Sequence, residues 1–375
     1  MKLAFIHNLN AGGAHRTMAE HAQRLSAETS ELCLQTADPF SAHATVLPLR
    51  LIAPGLPHVL RPPFRYRDLG ATVRSWQRLA ARVAESKPDV VVVHPCRFIQ
   101  CPPAVTRVRT PTVYFCHETR RVDHEPGAMA TRNPRTARLY ARLYAQERRL
   151  DAAAVASATV LVTNSRFTAA AIQTAYGREA AVIRMGVADV FAPGQARSPG
   201  SYVLSVGSLI PSKGHDLAIK AAARATVRAP VVIVTPRADL EEEARLRELA
   251  RAQGVELRIA VAISDLELRD LYRNALATLY LARAEPLGLA AIEAQACGCP
   301  VIVSAEGGLP ETLLHGRSGW AVPRDAGAAA AKLDLLAQGE LRQAAGAHAA
   351  AHGAGFSWAA STRDFQDILD GVVRA

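Results

Sequence analysis

Two glutamates, Glu285 and Glu293, stand eight positions apart in the run Glu285-Pro-Leu-Gly-Leu-Ala-Ala-Ile-Glu293. That spacing is just over two turns of helix. Pro286 and Gly288 mark where such a helix opens, because proline is tolerated there and the first amides have no intrahelical partner. Glu285 then lies just ahead of the helix and Glu293 inside it. Carboxylates at a helix N-terminus repel the anions that the terminus attracts. The pattern makes sense if they hold hydroxyls around a diphosphate whose charge the helix end receives. A hydrolase acid and base is the other chemistry that paired carboxylates offer.

Lys213 stands in Gly207-Ser-Leu-Ile-Pro-Ser-Lys-Gly214. The spacing resembles a Walker loop, but Ser212 replaces its second glycine and Gly214 its Mg-binding hydroxyl. What remains is a compact ammonium suited to a phosphate oxygen, or a surface lysine beside a turn. Gly12 and Gly13, in His7-Asn-Leu-Asn-Ala-Gly-Gly-Ala-His-Arg16, leave room for backbone N–H groups to reach a phosphate. A plain tight turn uses the same residues, and no Gly-x-Gly-x-x-Gly dinucleotide pattern is present. His117 stands out among twelve histidines by following an apolar run, in Cys116-His117-Glu118.

These residues need strands to carry them. Short apolar, β-branched runs occur at 3–6, 90–93, 112–115, 160–162, 203–206, 231–234, 278–281 and 301–303. Each is bounded by polar, Gly or Pro residues, as strands buried on both faces of a parallel sheet are. Amphipathic stretches alternate with them, such as Leu240–Ala252 ahead of a Gly254 helix stop. The alternation predicts doubly wound α/β architecture. Ala192–Gly200, with two Pro and two Gly, reads as the linker between two similar α/β domains whose cleft takes the ligands. A second glycine turn, Glu306-Gly-Gly-Leu-Pro-Glu311, closes the same wall as Glu285, and the alanine run 326–331 reads as helix surface.

The bulk composition agrees. A chain of 375 residues, 49% apolar and 21% charged, fits two globular domains and excludes disordered or fibrous classes. The longest apolar run, around Ala152–Val162, is too short for a membrane span, and Leu3–Ile6 too brief for a signal peptide. Six cysteines give no disulfide framework, which points to a reducing, cytoplasmic location. Cys96/Cys101 and Cys297/Cys299 lack structural-zinc spacing, so no metal is expected there.

Charge is uneven: residues 1–187 hold 25 Lys and Arg against 13 Asp and Glu, the remainder 19 against 21. An anionic partner for the first half follows, whether a soluble acceptor or a bilayer surface. Arg61, Arg65, Arg67, Arg74, Arg78 and Arg82 cluster with Phe64, Tyr66 and Trp76, three of them at the four-residue spacing of one helix face. Such a face docks on anionic lipid as a peripheral protein does, or is a solvated helix with Trp76 turned inward.

Together these motifs resemble the retaining glycosyltransferases of the GT4 family, which have the GT-B fold, over nearly the whole chain. Gly12-Gly13 matches the family's N-terminal glycine loop, Cys116-His117-Glu118 its active-site histidine, and Gly207…Lys213-Gly214 its phosphate loop. Glu285…Glu293 matches its Glu-x7-Glu motif. Asn164-Ser165, Gly186-Val187 and Phe356-Ser357-Trp358 match further family positions. The resemblance implies a Rossmann-like acceptor domain over 1–192, joined by a returning C-terminal helix at 356–375, and a Rossmann-like donor domain over 193–355. It implies that Glu285 contacts the donor sugar and Glu293 the ribose. Lys213, with amides near Leu287-Gly288 and Gly12-Gly13, holds the diphosphate, and His117 lies beside the anomeric carbon. The family commonly has Arg where this chain has Ser208, leaving Arg16 or another arginine to supply that charge.

The implied reaction moves a hexose-type sugar from a nucleotide-diphosphate donor to a glycan, lipid-linked or small-molecule acceptor. It needs no cofactor, metal or nucleic acid, and the leaving phosphate takes the acceptor proton. A GT-B phosphorylase, an epimerase and a catalytically silent sugar-nucleotide-binding or membrane-docking module are the alternatives.

Overall fold

The computed structural model describes residues 1–10, 12–35, 37–55, 61–124, 134–194 and 200–374. Residues Met1–Arg184 and Ala359–Ala375 form one compact unit, and Met185–Trp358 the other. Of the segment Ala192–Gly200, residues 195–199 lie outside the described residues. Its start is held within the second unit, where the Arg273 guanidinium donates to the Ala192 carbonyl at 2.7 Å.

The first unit is built on seven strands: β1 (Lys2–Asn8), β2 (Glu28–Leu34), β3 (Thr45–Leu47), β4 (Val90–Cys96), β5 (Thr112–Phe115), β6 (Val160–Thr163) and β7 (Ala181–Val182). All pairings are parallel, in the order β3-β2-β1-β4-β5-β6-β7. The second unit has six: β8 (Val203–Val206), β9 (Val231–Thr235), β10 (Leu257–Val261), β11 (Ala277–Tyr280), β12 (Val301–Ser304) and β13 (Gly319–Val322). They run parallel in the order β10-β9-β8-β11-β12-β13. Both sheets follow the doubly wound order. Chain direction across the sheet reverses between β1 and β4, and again between β8 and β11, and at such points the loops leaving neighbouring carboxyl ends diverge to open a ligand crevice.

Each sheet has its own core. In the first unit Ile6, Val91, Val93, Leu79 and Trp76 are buried together. In the second, Leu204 and Val303 are wholly buried, and Ile219, Ile233, Leu279 and Leu333 form one cluster. Trp76 is fully buried, its Nε1 donating to Cys96 Sγ at 3.3 Å, so the Arg61–Ser86 helix turns it inward. Arg67, Arg74, Arg78 and Arg82 are exposed, Arg65 pairs with Glu147, and the Arg61 side chain lies outside the described residues. The alanine run is not helix surface: Ala326, Ala329 and Ala330 are buried in the second core, because only small side chains let the Ala326–Leu336 helix approach. The C-terminal helix, Trp358–Arg374, belongs from Ala359 onward to the first unit, where Ser361 meets His21 at 2.9 Å and Phe365 meets Phe115.

Candidate functional site

In the second unit the crevice between β8 and β11 brings two distant loops together. The loop after β8 carries Ser208 and Lys213, and the loop after β11 runs from Leu281 to Gly288. Arg283 N donates to the Ser212 carbonyl at 2.8 Å, tying one loop to the other. Lys213 Nζ then reaches Glu285 Oε2 at 2.8 Å and the Tyr280 hydroxyl at 3.1 Å. Burial works against the ammonium, but Tyr280 and the Glu285 carboxylate outweigh it and hold the lysine above its ordinary range. The pair eases the conflict between a carboxylate and an anion at the same helix N-terminus: Lys213 neutralises Glu285. Tyr280 is a site residue that spacing alone did not mark, its only signal being its position at the end of a strand.

The helix Leu289–Ala296 opens on Gly288, whose φ is +100°, with no side-chain cap. A Cβ on Gly288 would sit 2.4 Å from Leu309 Cδ2, so glycine is required both by conformation and by space. Leu287 is buried beside it. Glu293 lies 8% exposed, its Oε2 accepting from the Tyr272 hydroxyl at 3.2 Å. Gly307 and Gly308 of the second glycine turn pack on the backbone of Glu285 and Pro286. Gly308 N donates to the Glu285 carbonyl at 2.7 Å, which sets the glutamate's place.

Three helices follow the switch-point strands β1, β8 and β11. Their N-caps are Gly12, Gly214 and Gly288, and none has a side-chain cap. Elsewhere Ser165, Asp239, Ser264 and Asp325 cap four helices through side-chain oxygens, whereas the Gly339–Gly353 helix, after Gln338, is also uncapped. A cap side chain occupies the first amides; glycine leaves them to a bound anion, which the helix dipole also favours. Ser208 is exposed, and its carbonyl faces His215 Nε2 at 3.2 Å.

In the first unit, Gly13 begins the Gly13–Arg24 helix and Arg16 lies in its first turn, Arg16 N donating to the Gly12 carbonyl at 2.9 Å. His117 is the second residue of the loop beyond β5, 8% exposed, with Asn164 Nδ2 donating to its carbonyl at 3.5 Å. Burial, and then the neighbouring His21, push His117 down to about 3, so the ring is neutral. A cavity of about 490 Å³ begins one residue further on, lined by Glu118, Thr119, Arg120, Arg65, Arg97, Tyr144 and Glu147 among others. Arg120 is held by Asp123 and by Glu147 at 3.0 Å. Its Nη2 and the Thr119 hydroxyl are buried with no partner among the described residues.

Among the described residues, those with metal-type geometry are His7, Glu31 and Cys33, whose ligand atoms lie within 4.8 Å of one another. Glu31 is already engaged: His7 Nε2 donates to it at 2.7 Å, and Phe40 N and Ser41 N donate at 3.0 and 2.7 Å. The six cysteines are free and buried.

Two family models match in tandem, Glycosyltransferase Family 4 over residues 11–190 and Glycosyl transferases group 1 over 189–352. The chain belongs to the GT4 family. Among curated relatives, D-inositol 3-phosphate glycosyltransferase of Acidothermus cellulolyticus is 36% identical over 228 residues, covering 53% of this chain and 51% of that one. The Geodermatophilus obscurus protein of the same name is 32% identical over 279 residues, 67% of this chain and 59% of that one. The chain thus spans about half the length of the curated relatives it matches. Among solved structures, Anabaena HepE in complex with UDP has a TM-score of 0.76 at 16% identity, covering 99% of this chain and 100% of that one. Sucrose-phosphate synthase from Thermosynechococcus elongatus has 0.77 at 20%, covering 99% of each. These neighbours share the GT-B fold of the GT4 family, two doubly wound parallel sheets.

Proposed function

We propose that the chain is a metal-independent, retaining glycosyltransferase that moves a hexose-type sugar from a nucleoside-diphosphate donor to an acceptor hydroxyl. The observation that carries this reading is the Lys213–Glu285 pair beside the Gly288-capped helix start, with Glu293 eight residues further on. The ammonium and uncapped amides suit a diphosphate, and two carboxylates around them suit the hydroxyls of sugar and ribose. In this reading Glu285 holds the sugar, Glu293 the ribose, and Lys213 takes up charge as the diphosphate departs. The leaving phosphate accepts the acceptor's proton, so no side-chain base is required. His117 borders the acceptor side.

The acceptor is proposed to sit in the first unit's cavity. The Arg120 Nη2 and Thr119 hydroxyl, without a partner among the described residues, call for ligand oxygens, and an arginine edge favours an anionic one. The relatives named for inositol 3-phosphate support a phosphorylated polyol, and HepE's complexes with UDP and UDP-glucose support a UDP-sugar.

A thermal-shift panel of UDP, GDP, ADP and dTDP with their glucose conjugates tests the donor, followed by product analysis with inositol phosphate. One nucleotide should raise the melting temperature by mass action and its sugar should be consumed with retained anomeric configuration. No shift with any of them would overturn the reading.

A further inference from the structure

His94 lies in β4, fully buried, with its Nδ1 3.2 Å from His117 Nε2. The ring centroids are 5.4 Å apart and the planes 27° from parallel, so the nitrogens are far closer than the ring centres. The imidazoles therefore meet edge to edge, the geometry of a hydrogen bond rather than a face-to-face stack. Phe115 packs on His94 at 5.5 Å and 12°, and Phe5 at 6.3 Å and 16°, which fixes the ring's plane.

We propose that His94 is a positioning residue that holds His117 in its neutral, Nδ1-protonated tautomer. The inference rests on reading His117 as a residue of the proposed transfer site. Between two neutral imidazoles a single hydrogen fills the contact, so one ring donates and the other accepts. The choice follows from the far side of His94, where Nε2 is buried without a partner among the described residues. A hydrogen on Nε2 would be an orphaned buried N–H, which native structures rarely tolerate, whereas a bare acceptor is less severe. The hydrogen therefore sits on His94 Nδ1 and is donated to His117 Nε2. His117 must then carry its own hydrogen on Nδ1, where it offers a fixed N–H donor to a ligand oxygen. Neutrality of both rings has the same origin: burial drives each below its ordinary value, and for His94 the facing His117 adds to it.

Histidine-selective ¹⁵N and ¹³C NMR tests this, with His117 assigned by its missing signal in His117→Asn. The wild type should show His117 as the Nδ1–H form alone. His94→Phe keeps a ring between Phe5 and Phe115 but removes the donor. In it, His117 should move toward the Nε2–H form that unconstrained imidazole favours. In a turnover assay kcat should fall about tenfold with the donor KM unchanged, and His94→Asn, which restores an N–H, should recover most of it. An Nε2–H tautomer in the wild type, or an unchanged tautomer in folded His94→Phe, would overturn the proposal. The spectra read the tautomer whether or not any sugar is transferred. A wild type inert toward every sugar nucleotide would thus sink the transfer reading while the NMR still decides this one.

Discussion

Lys213 and Glu285 are 72 positions apart and meet at 2.8 Å, with side chains 20% and 15% exposed. Sequence spacing marked each as a substrate contact, yet their pairing was hidden, because adjacency of the β8 and β11 loops exists only once the sheet order does. The pairing changes what a variant should do. Lys213→Ala removes the charge-assisted contact proposed for the diphosphate and leaves Glu285 unneutralised beside the helix start proposed to receive it. A loss of about 1.5–3 kcal/mol, hence at least about tenfold in donor kcat/KM, is expected in a folded protein. Unchanged kinetics would refute the role.

The two glutamates should differ in kind. Glu285→Gln keeps the shape of a group assigned to the transferred sugar, so it should lower kcat while free nucleotide diphosphate binds as before. Glu293→Ala should weaken that bare nucleotide, read directly by calorimetry. Normal binding there would remove the ribose role. Tyr280 escaped the sequence reading because a tyrosine at the end of an apolar run looks like core, and Tyr272 because it stands in the charged run Asp265–Asn274, of which it is the buried residue.

At the scale of elements, the eight apolar runs all became strands, and Leu240–Ala252 a helix over those same residues. The missed strands share physical reasons. β2 reads Glu-Thr-Ser-Glu-Leu-Cys-Leu, with Glu31 buried against His7, so no apolar run announces it. β3, β7, β10 and β13 lie at sheet edges, where one neighbour suffices and short or partly polar runs serve.

Loops show the same dependence on packing. A Cβ on Gly308 would lie 2.1 Å from the Pro286 carbonyl oxygen, although its φ of −83° suits any residue. Gly308→Ala must therefore push Glu285 and Pro286 aside. Turnover should drop by about a hundredfold, the scale of an ångström's misplacement, with native circular dichroism retained. A fully active variant would show that the turn does not set Glu285.

The carboxyl ends of β1, β4 and β5 carry buried histidines, and these tie the first unit to pH. His21 and His117 are each held down at about 3 by burial, whereas an unfolded chain protonates them near 6.5. The unfolded state therefore binds more protons between those values. Stability is complete above about pH 6.5 and falls as pH drops below it. At pH 5 the loss is about 2 kcal/mol for each ring, visible as a lower urea midpoint than at pH 7. An unchanged midpoint would mean that the rings charge freely in the folded state.

For the whole molecule, the deciding feature is that one chain builds two cores and returns to the first at its end. Phe365, fully buried, packs on His21 at 4.9 Å and Phe115 at 5.8 Å, while Leu369 is buried in the following turn. The last helix thus completes the first unit, behind the strand that leads to His117. Phe365→Ala opens a cavity there and should cost about 3–5 kcal/mol. Because the cores are separate, that cost should fall on one calorimetric transition and leave the other in place. The nucleoside diphosphate that stabilises the wild type should raise the spared transition and not the weakened one, with its affinity unchanged. Turnover should still fall, since Phe115 stacks on His117 at 4.6 Å and loses its support. A variant in which nucleotide affinity falls along with the first unit's stability would show that the first unit helps to hold the nucleotide, and would favour the diphosphate contact that the resemblance implies for Gly12-Gly13 over a nucleotide held by the second unit alone.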